Sequence, residues 1–451
     1  MSDEFNGPAD GSNPEDFAEF LRKFLAGESG LNTEELARAA GLPNDPKMLA
    51  ELAKQIQQAL EAANANPDAG VNWQLAAGQA KQQTRQGSRA INDFDRDQVR
   101  GASMIASLWL GQATEISELT TEPKLLTREL WIDDALPLFQ ALAGPVATQM
   151  SNALSDNLRQ NSPEEVQGML GQASNLMKSA GAALFAMQLG QALGKLSSEV
   201  LTGTEIGLPI FADQRPAYVV QNIEAFAASL ELELDQVYLY LAVREMAHNR
   251  LFKHSKWLRE HAVNQITSYA QGIKIDNSKI AEIAGELDLS ELGDLTGEKQ
   301  TELREAFESG AFIADRTESQ ERALESVETL LALIDGWVQV VCEQATERLP
   351  QSAAIAEAVR RRRATGGPAE QTFTTLVGLE LRPRKMREAA EMWRQVSAEL
   401  GAGARDALWA HPDLMPTAED ISNPAGLIAR MRAAKTNPDD LDQELRDLLG
   451  K

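Results

Sequence analysis

The chain has 451 residues, too many for one ordinary core, and its 67 acidic against 43 basic side chains give a formal net charge of -24. That balance repels nucleic-acid phosphates and anionic lipid, which excludes a general nucleic-acid binder or a membrane-surface protein. Cys342, the one cysteine, excludes an internal disulfide.

The predicted architecture is mainly α, built of multi-helix bundles. Ala, Leu, Glu, Gln and Arg dominate most segments, and period-two runs of β-branched residues are scarce. Residues 1–70 read as an acidic, partly disordered lead, with Gly7, Pro8, Gly11 and Pro14 near its start. Two short amphipathic helices are expected within it. One carries Phe17, Phe20, Leu21 and Phe24; the other runs from about Pro46 to Ala63 with Leu49, Leu52, Ile56 and Leu60 on one face. The start of the chain shows neither a basic region nor an apolar segment, so a cytoplasmic location is expected.

Residues 71–205 are expected to form an N-terminal helical bundle, with helices over Asp93–Gln112 and Trp131–Leu158. Ala186, Gly190 and Gly194 place small residues one turn apart, which predicts a close helix crossing. The run from Gly203 to Pro209 reads as a turn, and a second helical domain is expected over 206–451. Within it, 276–310 should be exposed, 364–368 a loop and Pro383–Leu400 a helix. Cys342, beside Val340 and Val341, is expected in the core. Arg360 to Arg363 fit a helix end that compensates nearby carboxylates, with an anion subsite as the alternative.

The chemistry concentrates in a helix expected from Leu232 to Arg250. Against the zinc-peptidase pattern H-E-x-x-H-x-x-G-x-x-H, the segment from Arg244 to His254 places Glu245, His248 and His254 at the matching offsets. It departs at Arg244, where the first histidine would stand, and at Leu251, where the glycine would. Side chains four apart on a helix differ by about 40° and project into one space, which is why zinc peptidases pair histidines at that spacing around a base-supplying glutamate. Arg244 cannot serve as a ligand, since its guanidinium has no free lone pair. His254 lies about 240° around a continuous helix from His248, so it reaches the same metal only if the helix ends or bends near Leu251. The plainer alternative makes His248 a hydrogen-bonded interface residue, with Glu245 paired to Arg244 or Arg250.

The wording Arg-Glu-x-Ala-His-x-Arg-Leu-Phe-x-His-x-x-Trp-Leu at 244–258 resembles the bacterial zincin-like metallopeptidase type 2 family. So do the segments 199–209, 376–384 and 408–414. The resemblance spans about residues 90–425. It implies a mostly helical protein with a zincin-like motif helix, a hydrolytic activity dependent on zinc, and a peptide or protein substrate. On that reading Glu245 is the general base, and His248, His254 and Glu380 are the metal ligands. Glu380, a lone acid between leucines, could equally pair with Arg382 or Arg384. His411, before Pro412, is a further candidate ligand or else a loop or cap residue. The competing expectation is a metal-free zincin-like scaffold that binds a partner, in which Arg244 takes the place of the missing cation.

Overall fold

The computed structural model describes residues 71–85, 87–161, 185–273, 276, 278–279, 314–364 and 385–436. The lead helices, most of 276–310, the loop residues 365–368 and Glu380 lie outside the described residues. The fold is mainly α, as the composition predicts.

Helix α1 (Trp73–Arg85) is followed by α2 (Asp93–Ala113), whose start is fixed by a reciprocal cap. The Asn92 side chain accepts from the Asp95 backbone, and the Asp95 carboxylate accepts from the Asn92 backbone. After strand β1 (Lys124–Leu126) come α3 (Arg128–Asn161) and α4, residues 185–199. The expected close crossing is present. A Cβ added at Gly190 would stand 2.7 Å from the Ala76 carbonyl, and one at Gly194 would stand 3.2 Å from that of Ala80. Small residues there let α4 lie on α1.

Strand β2 (Ala217–Val219) pairs in parallel with β1, matching Lys124 to Ala217 and Leu126 to Val219. Residues 201–203 run along its other edge, where Gly203 N donates to Ala217 O and Val219 N to Leu201 O. This small sheet pins the loop that follows α4. Helix α5 (Val220–Ser229) then leads into α6 (Leu234–His254), the centre of the molecule. Almost every residue of α6 from Val237 to Phe252 is buried, on all faces.

Helix α7 (Lys256–Gln271) and α8 (Glu318–Ala345) complete the wall around α6, which also packs along α2. Helix α9 (Ser352–Ala364) touches α6 as well, while α10 (Met386–Leu400) lies along α8. Short α11 (Ala402–Ala407), a 3-10 turn (Pro412–Leu414), α12 (Ala418–Ser422) and α13 (Pro424–Thr436) close the described chain.

Two fully buried indoles anchor this end, with Trp409 stacked on Trp393 at 5.5 Å between ring centres. Asp406 ties three elements together. It accepts from Thr114 Oγ1 at 2.7 Å, from Trp337 Nε1 at 2.9 Å and from Arg405 Nε at 2.7 Å. One continuous buried core includes residues from both sides of the 203–209 turn. Among the described residues no helix is long and apolar enough to cross a membrane.

Candidate functional site

Helix α6 carries Glu245 and His248 into two separate polar clusters, one facing the sheet and one facing Asp335. Glu245 is fully buried and faces the sheet. Its Oε2 accepts from Thr204 Oγ1 at 2.5 Å and from Thr204 N at 3.1 Å. Its Oε1 accepts from Ala217 N at 3.1 Å and from Asn249 Nδ2 at 3.0 Å. Burial pushes this carboxyl above the usual range, while the donors around it pull the other way. Glu245 therefore holds the loop and β2 to the helix. The plainer sequence reading had expected it to pair with Arg244 or Arg250, and it pairs with neither. Arg250 instead donates to the Ser107 carbonyl and hydroxyl on α2.

His248 points the other way, towards Asp335 of α8. Its Nδ1 lies 3.0 Å from the Arg244 carbonyl, an acceptor only, so Nδ1 carries the proton and donates. In the neutral ring Nε2 is then an acceptor. It is buried without a hydrogen-bond partner, 3.6 Å from Asp335 Oδ1. Burial first, and then the Arg244 guanidinium, push the imidazole below its ordinary 6.5, outweighing the pull of Asp335. Burial alone would raise the Asp335 carboxyl. The Arg363 charge, with that of Arg244, overcomes that and holds it far below the usual carboxylate range.

Two guanidinium groups hold Asp335. Arg244 Nη2 reaches Oδ1 at 3.0 Å, and Arg363 Nη2 from α9 contacts Oδ2. Next to them Arg362 pairs with Glu205 and donates to the Glu199 carbonyl, fastening α9 over the 200–211 loop. Gly207, at φ 79°, turns that loop against the cluster. A Cβ there would lie 3.1 Å from both Arg363 Nη2 and Asp335 Oδ2. The arginine run thus divides. Arg360 and Arg361 pair with Glu357 on the surface, as a solvated helix end would, whereas Arg362 and Arg363 turn inwards.

The remaining candidates lie elsewhere. Helix α6 continues unbroken through Leu251 to His254, so the bend on which shared use of His254 depended does not occur. His254 is exposed at the helix end while His248 is fully buried. His411 is also exposed, and its Nδ1 accepts from Asp413 N at 3.3 Å, which makes it the cap of the 3-10 turn. Cys342 is in the core, where burial pushes its thiol up to about 12.

The described residues around the motif do not fit a zinc ion. Among the described residues the motif's nitrogen–carboxylate pairing is His248 with Asp335 of α8, and Arg244 already sits on the same carboxylate oxygen. Glu245 faces the sheet, away from that pair. Among the described residues no group of three His, Cys, Asp or Glu could hold a metal. The sequence reading missed Asp335, Thr204 and Asn249, whereas it had singled out Arg363 within the arginine run. A signal for Asp335 existed, a lone acid in Leu-Ala-Leu-Ile-Asp-Gly-Trp-Val, by the same reasoning that singled out Glu380.

No curated protein matches the chain. A crystal structure from Chloroflexus aurantiacus, described as "a putative hydrolase with a novel fold", is similar to it with a TM-score of 0.54 at 18% identity. The match covers 80% of this chain and 99% of that one, and it shows a shared fold. The profile of the zincin-like metallopeptidase family matches residues 71–428, which include the motif helix and both clusters around it. The chain belongs to the zincin-like metallopeptidase family.

Proposed function

We propose that this chain is a metal-independent member of its hydrolase family, a zincin-like scaffold that binds a ligand or partner through the cluster around Asp335. One observation carries the reading: two arginines occupy the carboxylate that stands opposite the motif histidine. A divalent ion there would have to displace Arg244 from Asp335 Oδ1 and would then sit beside two fixed positive charges. Glu245 supports the same reading, because its carboxylate oxygens accept from the loop, from β2 and from Asn249. A cytoplasmic setting and the absence of nucleic-acid or membrane partners belong to this proposal, on the strength of the acidic charge.

The second reading is the zinc-dependent peptidase that the motif and the family suggest, and one distance favours it. Zinc bonds to nitrogen and oxygen of about 2.1 Å at a tetrahedral angle put two ligands about 3.4 Å apart. His248 Nε2 and Asp335 Oδ1 stand 3.6 Å apart. Elemental analysis of protein purified without metal-affinity resin decides between the two. The proposal expects zinc well below one ion per chain. It also expects Glu245→Ala to cost on the order of 3 kcal/mol of stability, since buried donors on Thr204 and Ala217 lose their acceptor. Near-stoichiometric zinc, together with peptide hydrolysis abolished by Glu245→Ala, would establish the peptidase instead.

A further inference from the structure

The cluster around Asp335 holds more positive than negative charge. Arg244 and Arg363 both pair with one carboxylate, so the two guanidinium charges outnumber it whichever form His248 takes. Among the described residues one positive charge is left over in a largely buried place, in a chain whose formal net charge is -24. An uncompensated charge there is costly, so the cluster has an intrinsic demand for a further anion.

The donors for it are available. Arg363 reaches Asp335 through Nη2 alone, and its Nε is buried without a partner. Arg244 likewise uses only Nη2. Both side chains keep a little solvent exposure, at 13% for Arg244 and 12% for Arg363. The leftover charge is single and matches a monoanion. A carboxylate is flat, singly charged and suited to the guanidinium fork.

We propose that Arg244 and Arg363 form a binding site for a small carboxylate, with Asp335 as the fixed counter-charge that holds the two forks in place. This rests on the metal-independent reading above and names the ligand class for it.

The test uses the full chain and acetate as the probe, with chloride holding the ionic strength constant. Thermal unfolding and titration calorimetry give the readouts. Acetate should raise the melting temperature in a saturable way that chloride does not reproduce, and Arg363→Gln should weaken that binding by about tenfold or more. If Arg363→Gln does not fold, Arg363→Lys serves in its place. It keeps the charge, loses the fork, and should bind acetate measurably less tightly. An acetate response unchanged in these variants, or no greater than that of chloride, overturns the site. Phosphate binding more tightly than acetate at equal ionic strength overturns the carboxylate assignment. Metal content of the same samples separates the two proposals. A response lost with a chelator and restored by zinc defeats the metal-independent reading. Metal-free protein that ignores acetate defeats only this inference.

Discussion

His248 shows how one backbone contact sets the chemistry of a side chain. The Arg244 carbonyl fixes the proton on Nδ1, so Nε2 can face Asp335 as a partner only if the ring takes a second proton. Burial and the Arg244 charge oppose that second proton in the folded state. The unfolded chain accepts it near the ordinary 6.5, and the folded chain only at lower pH. His248 therefore contributes stability that is complete above about pH 6.5 and is lost as pH falls towards the depressed folded value. Denaturant titrations between pH 7.5 and 5.5 should show wild type losing up to about 1.4 kcal/mol per pH unit more than His248→Gln. The other histidines are exposed or half-buried, so the comparison isolates this ring. Parallel pH profiles for the two proteins would refute the assignment.

At the level of elements, the loop between α4 and β2 does the positioning. Its backbone pairs with β2 at Leu201 and Gly203, its Thr204 binds Glu245, and its Glu205 binds Arg362. Gly203 is where this arrangement has no spare room. A Cβ there would meet Phe211 Cε2 at 2.9 Å and Glu245 Oε1 at 3.0 Å. Gly203→Ala should therefore destabilise the protein by about 1–3 kcal/mol, read from the denaturant midpoint at unchanged slope. Unchanged stability would mean that the loop yields and does not hold Glu245 in place. In sequence this stretch reads only as a turn dividing two bundles, because Gly and Pro mark a change of direction without revealing what the loop will touch.

Across the whole molecule, acidic excess and helix packing pull in opposite directions. The charge of -24 repels itself through the compact state, whereas the buried core around α6 does not depend on salt. Raising sodium chloride from about 10 mM to about 200 mM shortens the screening length from about 30 Å to under 10 Å, so the melting temperature should rise. A fall would show that the surface ion pairs outweigh the net repulsion.

Much of the helical architecture is legible from periodicity. Asp93–Gln112 is predicted and Asp93–Ala113 observed, and Pro383–Leu400 corresponds to Met386–Leu400. The motif helix differs, since the prediction ends at Arg250 and the helix runs to His254. Those four residues matter, for they carry His254 away from His248.

Local sequence determined the helices, their caps, the close crossing at Gly190 and the family, because each depends on residues near one another in the chain or on their wording. Only the tertiary structure decided what the motif residues do. Asp335 and Arg363 lie about 90 and 120 positions beyond Arg244, counted from their residue numbers, and meet it only when α8 and α9 pack against α6. The same packing turns Glu245 towards the sheet and leaves His248 facing a carboxylate already held by two arginines. Spacing along one helix fixes direction around its axis, but the partner waiting in that direction comes from another part of the chain.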